Sequence, residues 1–254
     1  MTMPDYIPID RARDMPGLRI AFTRGVPGPW GVAARSFFDF KGIDYVAVAQ
    51  DPGAPNEELK DWTGQTSAPV AMLDNERPRA IWSELLVLAE QMQPEPRLIP
   101  ADEDERMTMF GLCHEMCSDD GLGWNARHLA LSAQRAAKIT SFESLHTKYS
   151  SLCSDEQARD RVTAIIDALA RRLERQAQAG SRYFVGTMPT AADFYWMGFS
   201  NLFASMSPEL CTMPDFYRGM GAVTIGHRVG GVPQILLDHR DHMARTYCST
   251  PIVF

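Results

Sequence analysis

The sequence predicts two unlike halves, an N-terminal α/β half followed by an all-helical half. Three observations lead there. Strand-like and helix-like apolar patterns alternate over the first ninety or so residues. Pro94-Glu95-Pro96-Arg97-Leu98-Ile99-Pro100 then packs three prolines into seven residues, the clearest compositional break in the chain. Beyond Pro100 the period-2 signal disappears and only helical spacing persists. The expected division is therefore 1–93 for the α/β domain, with 1–17 as an extended arm, 94–102 for a Pro-rich linker, and 103–254 for the helical domain.

Each element has a local reason. Leu18-Arg19-Ile20-Ala21-Phe22 reads as a first strand, and Gly25-Val26-Pro27-Gly28-Pro29 as a loop that cannot be helical before its end. From Trp30 to Lys41, the spacing of Val32, Ala33, Phe37 and Phe40 suits a helix, which Gly42 closes. Tyr45–Ala49 is a second strand and Asn56–Trp62 a short helix. Val70–Leu73 follows as a strand, Asp74–Pro78 as the turn of a hairpin, and a helix opens at Ser83. The order β-α-β-α-β-β-α, with right-handed crossovers, gives a parallel pair plus an antiparallel hairpin, a thioredoxin-like plan. In the second half, helices are expected over 103–117, 124–150, 155–179, 190–205, 214–222 and 231–247.

Composition limits the functions open to this chain. It has 254 residues, 45% hydrophobic and 22% charged, enough to bury an ordinary core. A net charge of −7 leaves no basic excess for nucleic acid or an anionic membrane surface. No apolar run approaches the roughly 20 residues that span a bilayer. The N-terminus lacks the basic-then-apolar order of a secretory leader. Five cysteines (Cys113, Cys117, Cys153, Cys211 and Cys248) are an odd number without a framework, which points to a reducing cytoplasm.

The most telling interval is the fourteen positions from Pro69 to Ser83. A proline opening a short apolar strand suits a sheet edge or a cis turn. A serine ahead of Leu85, Leu86, Leu88 and Ala89 is an N-cap signal. A helix N-terminus facing back toward exposed backbone beside a proline can hold a peptide-like anion. Further on, Thr190-Ala191-Ala192-Asp193 has the form of a capping box ahead of a strongly apolar helix.

These two motifs, in this order, resemble the glutathione transferase family, and the resemblance runs from Leu18 to about Tyr247. It implies glutathione as a co-substrate. The backbone of Ala68, before a cis-Pro69, would pair with the cysteinyl peptide. Ser83, with Glu84 beside it, would meet the γ-glutamyl end. Where many members carry an acidic or amide residue before the serine, this chain has Trp82. Thr190 and Asp193 are then a structural cap. The resemblance also implies a homodimer and a small hydrophobic electrophile as the second partner.

The family places Tyr, Ser or Cys between the first strand and first helix, next to the sulfur. Here that stretch holds Arg24, Gly28 and Trp30, and the first domain has no cysteine. Mixed-disulfide chemistry is thereby disfavoured. The remaining candidates are Thr23, whose hydroxyl could donate to a thiolate, and Arg24, whose charge could lower a thiol pKa, with the N–H groups opening the Trp30 helix. Each also reads as a strand-end residue or a surface charge. Met107, Met109, Phe110, Met116 and Trp124 lie where the family's second domain overlooks the thiol, so Met107, Phe110 and Trp124 are expected in the co-substrate pocket. Ordinary core packing is the competing reading. Cys113/Cys117 and His239/His242 share helix faces but lack further ligands, so no metal is expected. A transferase leads. A glutathione-binding or scaffolding protein, or a glutathione-dependent lyase or reductase, would use the same binding residues.

Overall fold

A computed structural model describes residues 5–139, 143–149, 151 and 153–254. The α/β half runs α1 (Ile9–Ala12), β1 (Leu18–Thr23), α2 (Pro29–Phe40), β2 (Val46–Gln50), α3 (Glu57–Thr63), β3 (Val70–Leu73) and α4 (Trp82–Met92). The strands form one sheet in the order β2-β1-β3, with β1 parallel to β2 and antiparallel to β3. Period 2 along β1 sends Leu18, Ile20 and Phe22 into the main core beneath α2 and α4. Ala21 faces the opposite side, with Ala12, Val48, Leu59 and Val70. This is a thioredoxin-like domain joined to a helical one.

Two expectations change here. The arm is not wholly extended: Pro8 opens the single turn α1, Ala12 is buried, and Ile7 bridges Val48 at the sheet's outer edge. The hairpin's second strand shrinks to one bridge, in which the Ala71 and Arg79 backbones exchange hydrogen bonds of 2.8 and 2.9 Å. Pro78 has no N–H to extend that ladder. The Pro-rich segment is fastened to both halves. Leu98 is fully buried and its carbonyl accepts from Ala191 N–H. The buried Lys41 ammonium donates to Glu90 at 2.6 Å and to the Pro96 carbonyl at 2.7 Å, clamping the segment to α2 and α4.

The helical half contains α5 (Glu103–Cys117), α6 (Leu122–Ala136), α7 (Glu143–Lys148), α8 (Asp155–Gln178), α9 (Ala191–Ser200), α10 (Asp215–Arg218), α11 (Met220–Thr224) and α12 (Gln234–Tyr247). The helix expected over 124–150 is thus two, α6 and α7. Residues 140–142 and 150 of that span lie outside the described ones. The helix expected over 214–222 divides at Gly219. Every residue of α9 is buried, Asp193 and Ser200 included, so it forms the axis of the bundle.

Two glycines let the halves meet. A methyl at Gly198 of α9 would lie 2.7 Å from the Pro29 carbonyl oxygen and 3.1 Å from Ala33 N. A methyl at Gly123 of α6 would lie 2.3 Å from the Phe199 ring and 2.8 Å from the Trp30 ring. Both contacts are far inside van der Waals distance, so only glycine permits this approach of α2 to α9 and α6. The cleft between the halves follows from that docking.

Candidate functional site

Two cavities occupy the cleft. The larger, about 640 Å³, lies between the Ala68-Pro69 loop, the start of α4 and the end of α5. The smaller, about 480 Å³, lies between the β1–α2 loop, α6, α7 and α11. Trp30, Ala68, Arg127 and Tyr149 line both, and so form the partition.

The Ala68–Pro69 peptide is cis, and neither the N–H nor the carbonyl of Ala68 bonds to another described residue. An unpaired backbone donor and acceptor beside a sheet edge will take an extended peptide. The loop is held from both sides. Ser67 Oγ and the Tyr149 hydroxyl are 3.1 Å apart, while the Thr66 carbonyl accepts from Lys148 Nζ at 3.0 Å and from Gln50 Nε2 at 3.3 Å.

At α4 the N-cap is Ile81, and Ser83 is the second helical residue, which corrects the cap expectation. Ile81 brings no side-chain acceptor. Instead Glu84 Oε2 reaches back to Ile81 N–H at 3.4 Å while Oε1 accepts from Arg77 at 2.7 Å. Burial opposes the Glu84 charge, yet those hydrogen bonds hold its carboxyl below the usual range. Ile81, Trp82 and Leu85 line the larger cavity; Ser83 and Glu84 do not, though Ser83 Oγ bonds no described residue. Trp82 stands at the rim. Its indole N–H donates to Ser118 Oγ at 3.3 Å, and its carbonyl accepts from the Tyr195 hydroxyl at 2.9 Å.

The β1–α2 loop places its candidates differently. Gln50 is buried, and its Nε2 donates to the Asp51 and Thr66 carbonyls, which fixes the amide so that Oε1 must accept. What it accepts is the Thr23 hydroxyl, at 3.0 Å. Thr23 lines the smaller cavity with its proton already committed. Arg24 lines neither cavity; its half-exposed guanidinium pairs with Asp51 at 2.8 Å. Gly28 caps α2 and Pro29 occupies its first position, so Trp30 and Gly31 present N–H groups without helical acceptors at the cavity wall.

Trp30 is wall rather than donor, since its indole N–H is spent on the Cys117 carbonyl at 3.2 Å. Its ring meets Phe199 and Trp124 edge-on. Trp124 lines the larger cavity, whereas Phe110 packs against Trp82 and lines neither cavity. Met107 is 65% exposed and points to solvent, which removes it from the co-substrate wall. Cys113 and Cys117 are fully buried, and burial pushes both thiols far above their ordinary pKa. Among the described residues no group of His, Cys, Asp or Glu could hold a metal ion, and no helix is long and apolar enough to cross a membrane.

Sequence reasoning missed Arg127 and Tyr149. The Arg127 guanidinium lies 4.2 Å from the Tyr149 ring centre and 4.7 Å from those of Trp30 and Trp124. Nothing in the chain near Arg127 marks it out from other helical arginines. Gly123, a helix-breaking residue inside a helical pattern, was the available hint that something approaches α6 closely.

The Thr190/Asp193 pair lies outside the cleft. Asp193 is fully buried and accepts from Thr190 N–H (2.7 Å), Thr190 Oγ1 (2.9 Å), Phe184 N–H (2.9 Å) and His239 Nε2 (2.8 Å).

No known family profile matches this sequence, and no curated protein matches it by sequence. Solved structures do match. A glutathione transferase from Methylobacillus flagellatus with glutathione bound is 13% identical over 92% of this chain and 100% of its own, at a TM-score of 0.62. One from Methylobacterium radiotolerans, in complex with glutathione sulfonate, is 16% identical over 93% and 97%, at 0.60. The yeast prion protein Ure2p in complex with glutathione is 13% identical over 93% of each chain, at 0.61. The chain therefore has the fold of the glutathione transferases.

Proposed function

We propose that this protein binds glutathione in the larger cavity and joins its thiol to a small molecule held in the smaller one. The observation that carries the reading is the Ala68 backbone, with both polar groups unbonded, on the partition between two cavities. A peptide paired there extends into the larger cavity while its cysteinyl side chain reaches the smaller. Its γ-glutamyl carboxylate would meet the first turn of α4, where Ser83, just behind the wall formed by Ile81 and Trp82, would turn its uncommitted hydroxyl toward the ligand. The exposed Asp119, on the larger cavity's wall, suits the ammonium group. The neighbours whose structures contain glutathione or its sulfonate support this reading.

The sulfur would lie over the start of α2, where the Trp30 and Gly31 N–H groups and the positive helix end favour a thiolate. The thiolate attacks the electrophilic carbon, a carbon–sulfur bond forms and the leaving group departs with its electron pair. No side chain of the first half supplies a second thiol. A second reading has one specific observation behind it. Thr23 is committed to Gln50 and Arg24 to Asp51, leaving the sulfur no free side-chain donor there, as suits a glutathione-binding protein with little turnover. Ure2p, described as carrying a nitrogen regulation fragment, is a protein of this fold with a regulatory description. A homodimer in a reducing compartment completes the proposal.

Calorimetric titration with glutathione tests binding. Saturable binding by the wild type, lost in a folded Ala68→Pro variant that has no N–H at that position, is the expected result. Binding unaffected by that substitution removes the Ala68 backbone from the site. A conjugation assay on the same preparation decides between turnover and binding alone.

A further inference from the structure

The charge distribution of the cleft is uneven. The walls of the larger cavity carry Asp119 and Asp120 as well as His114. Arg127 stands on the partition and borders both cavities, but the smaller one adds Lys148 and has no carboxylate among its described lining residues. Lys148 sits exposed at the mouth with its ammonium on the Thr66 carbonyl. Arg127 lies deeper, and its guanidinium makes no hydrogen bond or ion pair with any described residue, only the three ring contacts.

A guanidinium half-withdrawn from water without an anion is an uncommon arrangement, because buried charges are ordinarily paired. Aromatic faces return part of the lost hydration, yet they leave all five N–H donors unused. Burial draws Arg127 below its ordinary pKa, and only the phenol oxygens of Tyr149 and Tyr217 act against that. It remains protonated at neutral pH. The Tyr217 phenol donates to the Pro27 carbonyl at 3.1 Å and is not a counter-ion.

Arg127 borders both cavities, and its neighbours on α6 and the charges around it favour the smaller one. Gly123, Ala126, Arg127, Ala130 and Leu131 form one stripe of α6, and the whole stripe faces the smaller cavity. Apart from its two cations, that cavity is walled by apolar and uncharged residues. We infer that the smaller cavity takes an amphipathic anion, an apolar or aromatic body bearing one carboxylate or sulfonate, and that Arg127 selects it by binding that group. The inference rests on the glutathione reading only in calling this molecule the co-substrate.

The test compares a matched pair, 4-phenylbutanoate and its neutral amide 4-phenylbutanamide, titrated calorimetrically into the full chain with and without glutathione. The wild type is expected to bind the acid at least about tenfold more tightly than the amide, as a charge-assisted bidentate bond would give. Arg127→Met, which keeps the bulk between the rings, should bring the two within about twofold, compared at saturating glutathione because Arg127 also borders the larger cavity. Arg127→Lys should restore part of the preference, and quenching of tryptophan emission by the acid, blunted in Trp30→Phe or Trp124→Phe but not in Trp62→Phe, reports its location. Equal wild-type affinities, an acid preference that survives Arg127→Met, or a loss of glutathione affinity with the acid-to-amide ratio unchanged would each overturn the assignment. If Arg127→Met does not fold, the wild-type ratio and the quenching decide. Absence of glutathione binding alongside a wild-type acid preference sinks the transferase reading and leaves the anion site standing.

Discussion

The N-termini of α9 and α4 invite comparison, because each carries a hydroxyl residue and an acidic residue close to its start. At α9 everything is closed. Thr190 is the N-cap, Asp193 returns to it, and the carboxylate's four hydrogen bonds reach α9, the preceding loop and α12. At α4 the cap residue is Ile81, Glu84 closes one donor, and the N–H groups of Trp82 and Ser83 have no helical acceptor. The difference follows surroundings rather than local sequence. The α9 end is sealed in the bundle, where an unpaired donor costs stability, while the α4 end borders a cavity where a ligand can do the pairing. Closed helix ends hold the fold together, and open ones are available for binding.

The largest expected effect breaks the closed end. Asp193→Ala removes four hydrogen bonds and leaves Phe184 N–H, Thr190 and His239 unpaired in the core, a loss of about 4 kcal/mol. Thermal and denaturant unfolding should show it. Glutathione affinity of the fraction that remains folded should not change, because Asp193 lies outside the cleft. A melting temperature within a degree or two of the wild type would mean that the network adds little, and the contrast between the two helix ends would disappear.

Ser83→Ala sharpens the comparison from the other side. Its hydroxyl bonds no described residue, so its removal should leave unfolding nearly unchanged. Glutathione affinity should fall by about 1–3 kcal/mol, the range for a hydrogen bond to a charged group. Calorimetric titration giving equal affinities would make Ser83 an ordinary second-position helix residue and shift the carboxylate to the backbone alone.

Much of the fold was legible because it is local. Alternating patterns, glycine stops, the proline cluster and the Thr190-x-x-Asp193 spacing each act within a few residues. Of the candidate site, the sequence pointed to the backbone part, the Ala68-Pro69 loop and the start of α4, which the structure brings to one cavity. The rest depends on long-range placement. Whether Thr23 has a free proton depends on Gln50, whose amide is fixed in turn by the Thr66 carbonyl. Arg127 meets Trp30, Trp124 and Tyr149 only after α6 packs on α2 through Gly123. Met107 sits on a helix whose apolar pattern is weak, so its outward orientation could not be read from spacing.

Cysteine reactivity divides along the same line between sealed and open regions. Cys113 and Cys117 are buried, with thiols held far above their ordinary pKa by that burial, whereas Cys153 is partly exposed. At pH 7–8 a thiol reagent should modify Cys153 first and leave Cys113 and Cys117 unmodified in the native state, as peptide mass mapping would report. Early modification of either helix thiol would mean that α5 opens far more readily than its packing implies.

The smallest expected effect concerns Thr23 and asks whether the open end of α2 can activate a thiol unaided. Gln50 cannot turn its amide without abandoning the Asp51 and Thr66 carbonyls, so the Thr23 proton stays on Gln50 Oε1 and is not free for a sulfur. The Trp30 and Gly31 N–H groups need no such exchange. Thr23→Val keeps the side-chain shape and removes the hydroxyl. It should cost about 1–2 kcal/mol of stability by leaving Gln50 Oε1 unpaired. Under the transferase reading, turnover at saturating glutathione should fall by no more than about threefold, well under the tenfold that 1.36 kcal/mol of barrier represents. The ultraviolet absorbance of bound thiolate, followed across pH, should keep its midpoint. A hundredfold loss of turnover with a raised midpoint would show that the hydroxyl leaves Gln50 for the sulfur when glutathione binds, and the helix end would then be an accessory to Thr23.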